Sequence, residues 1–179
     1  MDLDQLQKAM SEVNLFAGKK AEGMIKDLLS KAMTNGSSPK AALQISEETM
    51  EGIYSQGYNL YNQGRYQDAS YVFRLLMMLD YKVAKYTLGL AACLHRLGDF
   101  SNAIVIYTLV GVLEPTNPIP YYHAADCFLK LGQTEGAFWA LDQTIMLSAE
   151  NEEHAVLKER AKILKQGVMQ EMQQERPKQ

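Results

Sequence analysis

QGRYQDA (residues 63–69), LGDFSNA (97–103) and LGQTEGA (131–137) recur at one fixed interval along the chain. Gly64, Gly98 and Gly132 are spaced by 34 residues, and so are Ala69, Ala103 and Ala137. A glycine kept at a fixed place in each unit suits the end of a helix, where the backbone takes a positive φ that glycine adopts most easily. An alanine kept at a fixed place suits a close helix crossing.

A 34-residue period is that of the tetratricopeptide repeat, a helix–turn–helix unit that stacks on its neighbours. With repeats starting at Met50, Ala84 and Pro118, the eighth position reads Gly57, Ala91 and Ala125. The twentieth reads Ala69, Ala103 and Ala137, and the twenty-fourth reads Phe73, Tyr107 and Leu141. Small residues thus meet where the helices cross, and a large residue fills the space beyond. The fourth position, where tryptophan is frequent in such repeats, holds Ile53, Thr87 and Tyr121. An ordinary helical bundle would not place several independent positions in register three times. The expected fold is all-α: three helical hairpins in a curved superhelix over 50–83, 84–117 and 118–149, with flanking helices at both ends.

The flanks carry helical patterns of their own. Residues 1–45 are expected to form an N-terminal helical segment, with an apolar stripe at Leu3, Leu6, Met10 and Val13 and another beginning at Ile25, Leu28 and Leu29. TNGSSP at 34–39 reads as a loop, and Ser46 followed by Glu47 and Glu48 as a capped helix start. Beyond residue 150, Leu157, Ala161, Leu164 and Val168 make a stripe suited to a capping helix. From about residue 170 the chain reads as a solvated, frayed tail.

Composition narrows the function classes. The chain has 179 residues, 47% of them hydrophobic and 22% charged, which suits a globular domain with a sizeable core. A net charge of -3 leaves no basic footprint for nucleic acid. No apolar run is long enough for a membrane span, and the N-terminus has no signal-peptide pattern, so no membrane insertion or export of the chain is expected. Cys93 and Cys127 occupy one equivalent repeat position and are expected as buried, reduced thiols. The histidines form no zinc spacing with them, so no metal is expected. No nucleophile–base motif, phosphate loop or metalloprotease helix occurs, and neither catalytic residues nor cofactors are expected. His123 stands three residues before Asp126 on one helix, which can bring it near that groove residue, and it is read as a structural and not a catalytic histidine.

The first helix of each stacked hairpin lines the inner face of the superhelix. In repeat one, Ile53, Gly57 and Leu60 form the stripe that packs on the second helix. One residue along, Tyr54, Tyr58 and Tyr61 form a parallel stripe that faces the groove. The equivalent positions are Leu88, Ala92 and His95 in repeat two, and Tyr122, Asp126 and Leu129 in repeat three. Lys85 and Arg96 fall at the groove edge. The tyrosines either pack at the core's edge or form a binding surface; since Ile53, Gly57 and Leu60 already supply a core stripe, the surface is the reading adopted. Such a trough suits an extended peptide with spaced apolar anchors, each Val- or Leu-sized anchor contributing about 1.5–3 kcal/mol before ordering costs.

These residues resemble a known family, the class II chaperones of bacterial type III secretion, which hold hydrophobic translocator proteins before export. The resemblance spans roughly residues 45–165 and is carried by IYSQGYNLYNQGRYQDASYVFRLLMMLDY (53–81), YTLGLAACLHRLGDF (86–100) and YYHAADC (121–127). It implies a cytoplasmic bacterial chaperone whose concave face takes an extended translocator segment, with Tyr54, Tyr58, Tyr61, Ala92 and Tyr122 on matching positions. It also implies homodimers, and secreted cargo that in some relatives is a gatekeeper protein. The rival reading is a repeat adaptor or regulatory scaffold. An adaptor that captures a terminal carboxylate would need basic side chains where Tyr54 and Tyr58 stand.

Overall fold

The computed structural model describes residues 38–149 and 151–174, and every described element is helical. A short α1 (Pro39–Ala42) precedes α2 (Glu47–Asn62) and α3 (Tyr66–Leu79). Next come α4 (Ala84–Arg96) with α5 (Phe100–Leu113), and α6 (Ile119–Lys130) with α7 (Thr134–Leu147). A 3₁₀ turn (Glu152–His154) leads into α8 (Ala155–Gln174). From α2 onward each α-helix packs chiefly on its neighbours in sequence, and α2 also meets α4 directly. This is the one-dimensional stacking of a repeat array.

Local chemistry sets the helix ends. The Ser46 hydroxyl accepts from the Thr49 amide at 3.1 Å, and Glu47 and Glu48 lie in the first turn of α2, beside the positive end of its dipole. The three first helices all close the same way. Gly64, Gly98 and Gly132 have φ of +77°, +79° and +67°, and no atom lies within 4 Å of where a side chain would begin. These glycines are therefore required by backbone conformation and not by space. Behind each, an amide reaches back to close the turn: Arg65 to the Leu60 carbonyl, Asp99 to Leu94 and Gln133 to Phe128, at 2.9–3.0 Å.

Burial follows the repeat positions. Ala91, Ala125, Ala69, Ala103 and Ala137 are buried at the crossings, with Phe73, Tyr107 and Leu141 filling the space beyond them. One core cluster runs from Met50 through repeat two and reaches Ala124 and Cys127. A second joins Ala125, Ala137 and Leu141 to Ala161 and Val168, so α8 supplies the apolar cover that the last repeat lacks. Cys93 and Cys127 are free and buried, and burial pushes each thiol up to about 12.

Three expectations about the flanks are corrected. Of the loop read at 34–39, residues 34–37 lie outside the described residues, and Pro39 opens α1 behind a Ser38 cap, proline being well suited to a first helical position. The C-terminal helix does not fray at 170 but runs to Gln174, because Met172 still packs on the second cluster. Leu164 is 40% exposed and does not belong to the packed stripe. The packed face runs through Leu157, Ala161, Lys165, Val168 and Met172, and Lys165 lies over the Phe138 ring at 4.6 Å while its ammonium bonds Asp142. A lysine stem covers apolar surface there while its charge finds a carboxylate. The N-terminal stripe Leu3, Leu6, Met10 and Val13, with Ile25, Leu28 and Leu29, lies outside the described residues.

Candidate peptide-binding groove

The first helices α2 and α4 enclose a cavity of about 190 Å³ that opens to solvent. Tyr54, Tyr58 and Tyr61 line it from α2; Lys85, Leu88 and Ala92 line it from α4. Six of the residues read from the sequence as groove or groove edge are therefore brought together. Two more, Phe73 and Gly89, complete the lining and were not anticipated as groove residues.

The tyrosines are not equivalent. Tyr54 packs edge-on to Phe73 at 5.9 Å, lies 5.8 Å from the Tyr86 ring and stacks on Tyr58 at 6.4 Å. Tyr61 meets the Tyr66 ring edge-on at 5.1 Å, and both Tyr54 and Tyr61 pack against the main core cluster. Among the described residues Tyr58 meets one aromatic ring, that of Tyr54, and it is 52% exposed. Core edge and groove wall are thus combined in Tyr54 and Tyr61, and Tyr58 alone of the three is mainly a surface group.

The two groove-edge cations have partners. Lys85 sits 4.7 Å over the Tyr54 ring and pairs with Glu51, whose hydrogen bond raises the lysine's pKa. Arg96 donates to the Tyr66 hydroxyl at 2.7 Å and lies over that ring.

One repeat further along, the groove changes character. His95 and Asp126 occupy the places of Tyr61 and Tyr58 in their own repeats, and His95 Nε2 lies 2.8 Å from Asp126 Oδ2. His123 lies near Asp126, as its spacing suggests, but the bond to the carboxylate comes from His95 of α4. His123 stacks on the Tyr107 ring at 5.6 Å and 21°, because its position points toward α5. Burial, and then the neighbouring His95, lower the His123 pKa; Asp126 acts weakly in the opposite sense. Burial pushes the Tyr107 phenol far above its usual range, so it remains a hydroxyl. Tyr122 and Leu129 pack partly against the second core cluster and do not join the 190 Å³ cavity.

Gly89 and His123 stand at the same repeat position, as do Phe73 and Tyr107. At the first junction the buried Phe73 ring lies against Gly89 and lines the cavity; at the second, the His123 ring stacks on Tyr107. A larger open cleft of about 880 Å³ lies elsewhere, among the segments after α5 and α7, and contains none of the predicted groove residues. Among the described residues no acidic, histidine or cysteine cluster could hold a metal ion, and no helix is long and apolar enough to cross a membrane.

Comparison with known proteins adds three facts. The model of the tetratricopeptide repeat matches residues 50–82. Low calcium response locus protein H of Yersinia pestis is 37% identical over 90 residues, 50% of this chain and 54% of that protein, so the chain spans about half the length of this curated relative. Among solved structures, a T3SS complex from Aeromonas hydrophila superposes with a TM-score of 0.78 at 32% identity, covering 82% of this chain and 98% of the other. The type III secretion chaperone SycD of Yersinia enterocolitica, in complex with a peptide of the translocator YopD, superposes with a TM-score of 0.69 at 32% identity, over 72% and 98% of the two chains.

Proposed function

The chain belongs to the family of type III secretion translocator chaperones, and from that premise we propose that it binds an extended apolar segment of a secreted translocator along α2, α4 and α6. Binding there keeps the cargo soluble and export-competent in the bacterial cytoplasm. The role is one of holding and not of catalysis.

The observation that carries this reading is the open cavity between Tyr58 and Leu88. Its walls are aromatic and aliphatic, its floor is the Phe73 ring, and its one charged lining group, Lys85, is paired with Glu51. Apolar side chains entering it would lose water-exposed surface at about 25 cal/mol per Å². A carboxylate-capturing adaptor is disfavoured by the same pairing, since the lysine's charge is already matched.

Co-expression tests the proposal. A hydrophobic translocator encoded beside this chain should move from the insoluble to the soluble fraction and co-purify with it. A translocator that stays insoluble in both cases would overturn the chaperone reading and leave the adaptor or regulatory scaffold. Homodimerisation through residues 1–20 belongs to the proposal as well. Sedimentation of full-length and truncated chains, with identical monomeric masses for both, would remove it.

A further inference from the structure

Asp126 stands at the repeat position of Tyr58 and Ala92, both of which line the cavity, so it belongs to the same groove face one repeat onward. Its side chain is 47% exposed. Oδ2 is engaged by His95, and among the described residues no other group bonds the carboxylate.

His95 orients that carboxylate: the Tyr107 hydroxyl lies 3.4 Å from His95 Nδ1, and a ring so held presents Nε2 to Asp126. Arg96 is committed to Tyr66, and Lys130, one helical turn beyond Asp126, makes no hydrogen bond or ion pair to its carboxylate.

We propose that His95 and Asp126 form a second, polar subsite of the groove, which accepts a lysine or arginine side chain of the bound segment. The inference rests on the reading of this face as a cargo groove and names the chemistry that face selects: an apolar anchor at Tyr58, followed by a cation at Asp126. Packed helices lie about 8–10 Å apart, and extended chain advances about 3.3 Å per residue. Tyr58 and Asp126 stand two repeats apart, on α2 and α6, so the cation falls about five to six residues from the anchor. A segment with an acidic residue in that register is rejected, because two carboxylates would face each other.

The test uses the full chain and fluorescein-labelled twelve-residue synthetic peptides. Each carries leucine at every third position and a single Lys, Gln or Glu walked through the intervening positions. Anisotropy in low salt should show one Lys register binding about fivefold to tenfold tighter than its Gln twin, and the Glu twin weaker still. Asp126→Asn keeps an acceptor for His95 but removes the charge, and should bring the Lys and Gln twins to equal affinity. Asp126→Glu should restore the Lys preference. A melt of each variant shows that folding is intact. If Gln peptides bind and weaken on Tyr58→Ala, yet no Lys register is preferred, or the preference survives Asp126→Asn, the polar subsite falls and the apolar groove stands. Binding by none of the peptides overturns both.

Discussion

Gly89 lies so close over Phe73 that a Cβ at position 89 would stand 2.6 Å from the aromatic ring. The missing side chain both permits α3 and α4 to pack and leaves the ring as the floor of the cavity. Gly89→Ala should therefore push Phe73 out of place, lowering stability by about 1–3 kcal/mol and closing the apolar site. Gly98→Ala meets no atom but holds a left-handed backbone at φ +79°, a strain of about 1–2 kcal/mol for an L-residue. Both variants should melt earlier, but below the melt only Gly89→Ala should lose peptide affinity. Equal affinity losses in the two would disconnect Gly89 from the site.

The tyrosines should separate by burial. Tyr58 is half exposed, so Tyr58→Ala should weaken binding of an apolar peptide about 10- to 100-fold with little change in the melt. Tyr54 packs against Phe73 and Tyr86, and Tyr54→Ala should cost about 2 kcal/mol of stability in addition to binding. Calorimetry beside thermal melts separates these effects. A large melting loss in Tyr58→Ala would return that ring to the core.

The fold was legible because its positions recur: three glycines, three alanines and three large fillers repeat at 34 residues, and each triplet has one physical cause. The cavity wall was legible for the same reason, as a stripe one residue beside the core stripe. What stayed hidden depends on contacts between helices. Phe73 occupies a core position, and only the absence of a side chain at Gly89, on the next repeat, lets its buried ring reach the cavity lining. Asp126 has a histidine three residues away on its own helix, yet bonds His95, 31 residues distant. Lys165 displaces Leu164 from the packed face because Asp142 stands opposite, a pairing that helical periodicity does not encode.

The two thiols should be inert in the native protein. Cys93 and Cys127 are fully buried, and burial raises each to about 12, far above neutral pH, so almost no thiolate exists. A chromogenic disulfide reagent at pH 8 should leave the folded chain unlabelled and titrate both cysteines in denaturant. Rapid stoichiometric labelling of the native chain would show that repeats two and three open readily.

His123 gives the second groove junction a pH dependence of definite sign. Its pKa in the folded protein lies below the ordinary 6.5, through burial and through His95. Below pH 6.5 the unfolded chain therefore takes up a proton before the folded one does. Stability is fully present above 6.5 and is lost as pH falls through that value toward the folded-state pKa. The groups around the ring are Tyr107, stacked on it, with His95, Tyr122 and Asp126 beside it. His123→Phe keeps an aromatic ring against Tyr107 and removes the titration of that position. Thermal melts at pH 7.5, 6.5 and 5.5 should show the native chain losing stability between the last two values and the variant losing less. Parallel pH profiles for the two would mean that His123 is solvated, and that its stack on Tyr107 is not held in solution.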